Sequence, residues 1–453
     1  MRTGCLILLA YWQLAQADSL GVRNVAQVPS GLTGWAQVVC GDMDHDGLGD
    51  FSFRRYLPSG GVTVWEFWEC HPVNRYMQVH ADTCSGYPPG MHQGMFAPCD
   101  VGDPDNDGRT EILGINKEYF YTGGRQDSIR YYLCSYESPD SSSLPDTLVW
   151  SYYYGNNMQV APYPYIWLPG DLDRDGRKEV IFADAGYGQT MVFENRGDNQ
   201  NELVFMTPVT HAGYDYAFGD FDRDSAREFV TNRPEPPDEV LVYECAGDDT
   251  FALAAAVPVG YWNGYDIWSG NDLDHDGMPE FFINYWRYST NRFYLCMYEA
   301  TGNNTYVETL LDSFRTSSTS DARNSVCADL DLDGTEELIA SFNAAVRIYK
   351  TTGNNQYEMV YQWDYPLPGS KEAQVRCYDM NGNGYPDMLI SGCGNTWIYE
   401  VAAIDLTAPD GGESFLPGDT CIIRWQTIAP PRCDSVSLFL RKDTAWSLDT
   451  IAT

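Results

Sequence analysis

The chain of 453 residues is 43% hydrophobic, 14% aromatic and only 20% charged, a folding composition with length for two to four domains or one large repeat architecture plus an appendage. Its formal net charge of −36 argues against nucleic acid and anionic membrane as partners, since both reward a basic surface, and points to cations. The 32 tyrosines and 41 glycines predict β-structure rich in tight turns.

The N-terminus reads MRTGCLILLAYWQLAQADS. Arg2 precedes an apolar core from Cys5 to Trp12, and Ala15-Gln16-Ala17 is a small-x-small cleavage site. That order predicts a signal peptide over 1–17 and a secreted or cell-surface protein beginning near Asp18. No other apolar run approaches the ~20 residues that span a bilayer, so no membrane span is expected. Cys40, Cys327 and Cys377 each stand two residues before the first aspartate of a repeat, where Val101 and Phe218 stand in other copies. They read as small buried hydrophobes. Cys421 and Cys433 form the candidate disulfide pair.

From position 41 one motif recurs seven times: GDMDHDGLGDF (41–51), GDPDNDGRTEI (102–112), GDLDRDGRKEV (170–180), GDFDRDSAREF (219–229), NDLDHDGMPEF (271–281), ADLDLDGTEEL (328–338) and YDMNGNGYPDM (378–388). The irregular steps of about fifty to seventy residues make this a repeat protein. Counted from the first aspartate, oxygens at positions 1, 3 and 5 of a tight loop converge, position 7 can offer its carbonyl, and position 9 closes the shell. A glycine at position 6 permits the sharp turn.

The candidate metal ligands are therefore Asp42, Asp44, Asp46 and Asp50 in the first loop, and Asp103, Asp105, Asp107 and Glu111 in the second. Asp171, Asp173, Asp175 and Glu179 serve the third, and Asp220, Asp222, Asp224 and Glu228 the fourth. Asp272, Asp274, Asp276 and Glu280 follow in the fifth, then Asp329, Asp331, Asp333 and Glu337 in the sixth. The seventh has Asp379, Asn381, Asn383 and Asp387. An all-oxygen, mostly carboxylate shell suits Ca2+, up to seven ions, over magnesium, which resists dehydration, and zinc, which prefers nitrogen and sulfur. Without a cation, unit charges ~5 Å apart repel by roughly 3 kcal/mol per pair at an effective dielectric of about 20.

A helix–loop–helix calcium hand needs an acid at position 12, where this chain has Phe53, Gly114, Phe182, Thr231, Ile283, Ala340 and Ile390. The flanks alternate like strands, as in DFSFRRYL and EVIFADAG, so each loop is expected to join two strands. Two loops are expected to bind more weakly. Ser225 replaces the glycine of the fourth, and a left-handed non-glycine residue costs ~1–2 kcal/mol. Asn381 and Asn383 remove two charges from the seventh.

Each unit continues with strand-like segments, for example TMVFEN, a GDNQN turn and ELVFMTPV in the third. Four short strands per unit predict propeller blades. The seventh unit has only AQVRCYD, DMLISG and TWIYEV, and the spare VRNVAQV at 22–28 is the expected donor of its outer strand, closing the ring.

The D-x-D-x-D-G-x-x-[DE] loop between the first two strands of a blade resembles the FG-GAP, or VCBS-type, repeat of integrin α-subunit propellers and many exported bacterial proteins. The resemblance spans about residues 20–403 and implies an all-β, seven-bladed β-propeller over 18–403 with calcium at the seven loops. From Ile404, the stretch IDLTAPDGGESFLPGDTCIIRWQT resembles the opening of a small immunoglobulin-like β-sandwich, so 404–453 is expected to be an incomplete module.

Segments linking one blade to the next carry Trp35, Tyr163, Tyr165, Trp167, Tyr214 and Tyr216, then Tyr261, Trp262, Tyr265 and Trp268. They serve either as packing between blades or as flat surfaces for a sugar or protein loop. The expected function is a monomeric, non-catalytic binding or adhesion module for a glycan or an extracellular protein. The alternative is a polysaccharide lyase or hydrolase, with His92, His211, Asp215 and Asp266 as acid–base candidates, although no spacing links them. No GxSxG, HExxH or phosphate-loop motif occurs.

Overall fold

The computed structural model describes residues 20–30, 38–56, 63–71, 74–83, 96–122, 125–156, 163–185, 189–208, 215–233, 239–259, 263–287, 289–315, 325–342, 345–364, 374–392, 394–401, 404–408, 424–427, 438–442 and 445–452. Among them every regular element is a strand, and no helix is long and apolar enough to cross a membrane.

Seven four-stranded antiparallel sheets follow one another along the chain. Blade one is Val38–Gly41, Asp50–Tyr56, Thr63–His71 and Arg75–Thr83. Blade two is Phe96–Gly102, Glu111–Thr122, Arg125–Glu137 and Thr147–Asn156. Blade three is Tyr163–Gly170, Glu179–Ala185, Thr190–Asn195 and Asn201–Met206. Blade four is Ala217–Gly219, Glu228–Arg233, Glu239–Gly247 and Thr250–Pro258. Blade five is Asn263–Ser269, Phe281–Arg287, Arg292–Gly302 and Thr305–Phe314. Blade six is Val326–Ala328, Glu337–Phe342, Ala345–Gly353 and Gln356–Asp364.

Blade seven takes Gln374–Tyr378, Asp387–Gly392 and Asn395–Val401 from the end of the repeat region and Val22–Val28 from the beginning. The closing strand pairs antiparallel with the third, from Val22 opposite Val401 to Val28 opposite Thr396. Closure in this way covers the edge of Asn395–Val401 and ties the start of the repeat region to its end. The protein is an all-β, seven-bladed β-propeller.

Burial follows the order of strands within a blade. The second strands Glu337–Phe342 and Asp387–Gly392 are buried at every residue, being covered on both faces, whereas the outer Thr250–Pro258 is largely exposed. The core is distributed between blades. Ile181, Ala183 and Val192 of the third pack with Phe229, Leu241 and Tyr243 of the fourth, and Val28, Phe51 and Phe53 pack with Met380 and Leu389 across the closure. Each such side chain contributes about 1.5–3 kcal/mol on burial, so stability depends on neighbouring blades staying together. Cys40, Cys327 and Cys377 pack against these clusters, half-buried as whole residues, and burial of their thiols raises each pKa, in keeping with their reading as small hydrophobes.

Beyond the ring, Ile404–Ala408 pairs with Arg424–Thr427, and Leu438–Lys442 with Ala445–Ala452. Cys421, Cys433 and the N-terminal segment 1–19 lie outside the described residues.

Candidate functional site

All seven acidic loops adopt one conformation. Position 6 is left-handed in each, with φ from 81° at Ser225 to 102° at Gly277. Position 4 is left-handed too, at His45, Asn106, Arg174, Arg223, His275, Leu332 and Gly382, with φ between 55° and 68°. Two left-handed residues separated by one aspartate bend the chain around its own carboxylates. The amide of position 6 donates to the first aspartate at 2.7–3.1 Å in six loops and at 3.4 Å in the fourth, where Ser225 replaces glycine. Position 5 donates to position 3 at 3.0–3.3 Å, and position 7 to position 5 at 2.8–2.9 Å.

The ninth position opens the second strand, or in the fifth blade directly precedes it, and is at most 1% exposed in every loop. In six loops one of its oxygens accepts the amide of position 2, from Met43, Leu172, Phe221, Leu273, Leu330 or Met380. Pro104 holds that position in the second loop and has no N–H to give, so both oxygens of Glu111 are buried without a partner. The other oxygen of Asp50, Glu179, Glu228, Glu280 and Asp387 is likewise unpartnered. Burial, aggravated by the neighbouring aspartates, pushes Asp50, Glu179, Glu228 and Glu280 up to about 8 and Asp387 to about 7. Glu111, lacking the amide, rises to about 10. A buried carboxylate oxygen without a donor is costly, and here it recurs beside further carboxylates. Asp103, Asp105, Asp107 and Glu111 place one oxygen each within 4.8 Å of one another, as do Asp220, Asp222, Asp224 and Glu228. The donor set fits a hard divalent cation.

A further acid in six of the seven sites was not among the residues predicted from the sequence. Register places Asp50 opposite Glu69, Glu111 opposite Glu137, Glu179 opposite Glu194 and Glu228 opposite Glu244 on the third strand. In the last three blades the pairs Phe281–Tyr298, Leu338–Tyr349 and Met388–Tyr399 bring Glu280, Glu337 and Asp387 opposite Glu299, Lys350 and Glu400. Like charges directly opposite across a sheet destabilise it unless something neutralises them. Asp44, Asp46 and Glu69 approach within 4.8 Å, as do Asp105, Glu137 and Asp198. The signal was present, because an aromatic residue precedes the acid each time: Trp68, Tyr136, Phe193, Tyr243, Tyr298 and Tyr399.

Neighbouring blades engage each loop. The turn between third and fourth strands carries a left-handed residue at Asn74, Asn199, Asp249, Asn304 and Asn355. Asn199, Asp249 and Asn304 donate their amides to Asp105, Asp173 and Asp222 of the preceding blade at 2.8, 2.9 and 2.6 Å, and Asn355 does the same for Asp274. In the seventh loop Asn381 donates to Asn74 Oδ1 at 2.9 Å, and the side-chain amides of Asn381 and Asn383 both reach Glu400. Arg174 and Arg223, at position 4, extend to Asp220 and Asp272 of the next loop. The third, fourth and fifth loops are thus consecutive neighbours on the ring.

Of the candidate acid–base residues, Asp215 and Asp266 are described and both are buried. Asp215 and Asp266 are 4% and 1% exposed, and Asp266 Oδ2 accepts from the Ser325 amide at 2.8 Å and from Asn284 at 3.4 Å. His92 and His211 lie outside the described residues. Tyr165, Tyr216 and Trp268 are buried, and Trp167 and Tyr216 meet at 4.6 Å between centroids, which is the packing reading of these aromatics. Trp35, Tyr214, Tyr261 and Trp262 and the side chains of Tyr163 and Tyr265 lie outside what is described.

Residues 171–231 match the FG-GAP-like repeat family. They run from the first aspartate of the third loop into the second strand of the fourth blade, one full unit of the repeat. No curated protein matches the chain. Among solved structures, the chain is similar to the BP39L lectin from Burkholderia pseudomallei, with 9% identity over 81% of this chain and 96% of the lectin and a TM-score of 0.51. It is also similar to BBS1N from its complex with ARL6DN, with 10% identity over 84% and 97% and a TM-score of 0.48. The Dos1 propeller follows at 8% identity over 85% and 97%, with a TM-score of 0.45. These likenesses are of fold alone.

Proposed function

We propose that the protein is an exported, calcium-binding propeller that serves as a non-catalytic binding or adhesion module for a glycan or an extracellular protein. One observation supports the calcium most strongly: the ninth-position carboxylate, buried and with an oxygen no donor meets, recurs around the ring beside further acids. Positions 1, 3, 5 and 9, with the third-strand glutamate, would hold the ion. Bound there, calcium would neutralise the cluster and, in loops two to five, fix it against the turn of the next blade. The fourth loop, strained at Ser225, and the seventh, whose asparagine amides already satisfy Glu400, are the weaker sites.

The binding role is favoured over catalysis because the described acid–base candidates, Asp215 and Asp266, are buried, with Asp266 held by Ser325 and Asn284. A closed ring of stiff blades offers its blade-to-blade segments as a recognition surface, and the same fold serves the lectin named above. The signal over 1–17, the ring over 18–403 and a partial sandwich over 404–453 complete the proposal. The alternative, a polysaccharide lyase or hydrolase, is separated by one screen. Calcium-loaded protein incubated with polysaccharides should retain a ligand without new reducing or unsaturated ends, and release of such ends would replace the binding role with catalysis. For the metal, a chelator should lower the melting temperature and added calcium restore it; an unmoved melting temperature would reject calcium.

A further inference from the structure

The sixth loop departs from the others at one residue. Its third strand carries Lys350 where the other six blades carry glutamate, again after an aromatic residue, Tyr349. Lys350 Nζ lies 2.6 Å from Asp331 Oδ2, 2.8 Å from Asp333 Oδ2 and 3.1 Å from Glu337 Oε1. These are positions 3, 5 and 9. Glu337 Oε1 is the buried oxygen that stays unpartnered in the sister loops, and here it faces an ammonium. N···O separations of 2.6–3.1 Å suit an ammonium, whereas a calcium ion would draw the same oxygens to ~2.3–2.6 Å.

The loop differs in a second respect. In loops two to five, Oδ2 of the position-3 aspartate accepts a turn amide from the next blade. The blade after the sixth is the closing one, where the fourth strand is Val22–Val28 from the N-terminus. No hairpin joins its third and fourth strands, so it has no such turn to offer. Asp331 Oδ2 takes Lys350 Nζ instead. The lysine takes the place of the neighbour's donor.

Building on the calcium reading above, we propose that the sixth loop is an internally neutralised copy of the site: the Lys350 ammonium stands where the sister loops take a divalent cation, and this loop binds none. A single positive charge held by three carboxylates keeps the loop closed at any calcium concentration. The blade beside the N-terminal strand therefore stays folded when the other loops are stripped.

The test is an ion count. Wild type, Lys350→Glu and Lys350→Gln are dialysed to equilibrium against calcium, and bound metal per chain is measured by mass spectrometry. Each variant should carry one ion more than wild type, and adding Asp331→Ala and Asp333→Ala to Lys350→Glu, which removes two oxygen ligands, should return the count to the wild-type value, placing the extra ion in the sixth loop. Asp274→Ala with Asp276→Ala in the fifth loop should lower the wild-type count by one. Should Lys350→Glu fail to fold, Lys350→Gln, which adds no charge of its own, carries the comparison. Seven ions on wild type, or no gain in either folded variant, overturns the proposal while leaving the calcium reading standing. No ion on any of the proteins overturns the calcium reading and this proposal with it.

Discussion

Gly49 stands at position 8 of the first loop, where the first and seventh blades meet. Its amide donates to Met380 O at 2.8 Å, and a Cβ built on it would lie 2.6 Å from Met380 Cα and 2.8 Å from Sδ. Met380 is fully buried among Val28, Phe51, Phe53 and Leu389, so the neighbour is a backbone that cannot retreat. In Gly49→Ala the two loops must part by about 1 Å to reach an ordinary carbon–carbon contact. That forfeits a hydrogen bond worth ~1 kcal/mol and adds overpacking of ~1–3 kcal/mol, a loss of roughly 2–4 kcal/mol. Gly302→Ala is the control, since a methyl group added there would meet nothing within 4 Å and the position needs no left-handed backbone. Urea denaturation of the calcium-loaded proteins measures both. A Gly49→Ala midpoint no lower than that of Gly302→Ala would mean that closure does not depend on this contact, and the reasoning fails.

Ser225→Gly should raise stability by about 1 kcal/mol, because Ser225 sits at φ 81° with a 3.4 Å amide contact where glycine loops are shorter; an unchanged urea midpoint would remove it as the weak point. Pro104→Ala gives Glu111 the amide that the six sister loops have. Glu111, raised to about 10, is protonated in the chelated protein at neutral pH, so the bond is worth ~0.5–1.5 kcal/mol and the freed unfolded chain costs ~0.4–1; the chelated protein should gain a few tenths of a kcal/mol, and a loss of more than about 1 kcal/mol would refute the account. Glu179, Glu228 and Glu280 are raised by burial from the ordinary carboxylate range to about 8, so the metal-free folded state holds protons that the unfolded chain releases. Its stability is then greatest below the unfolded value of ~4.3 and falls as pH rises towards 8, while calcium affinity rises over the same range. A chelated protein whose urea midpoint climbs between about pH 5 and pH 8 would contradict this sign.

The ring was legible because its determinants are local. Aspartates at alternate positions with a following glycine fix each loop, alternation fixes the strands beside it, and a three-stranded last unit with a spare Val22–Val28 fixes the closure. Glu69, Glu137, Glu194, Glu244, Glu299 and Glu400 were missed since they become part of a loop only through the register of a neighbouring strand. The left-handed residue at position 4 was hidden for another reason: only Gly382 announces it, while His45, Arg174 and Arg223 adopt it with long side chains. Asn199, Asn304 and Asn355 read as ordinary turn residues, because their role depends on which blade lies behind them. Lys350 acquires its role only through the register that sets it opposite Glu337.

The turns that reach Asp105, Asp173, Asp222 and Asp274 all come from the blade that follows, so successive units overlap like roof tiles laid in one direction. Such a course resists force applied with the lap and lifts when force is applied against it. A ligand tugging on this molecule would therefore meet a different stiffness according to the rotational sense of the load.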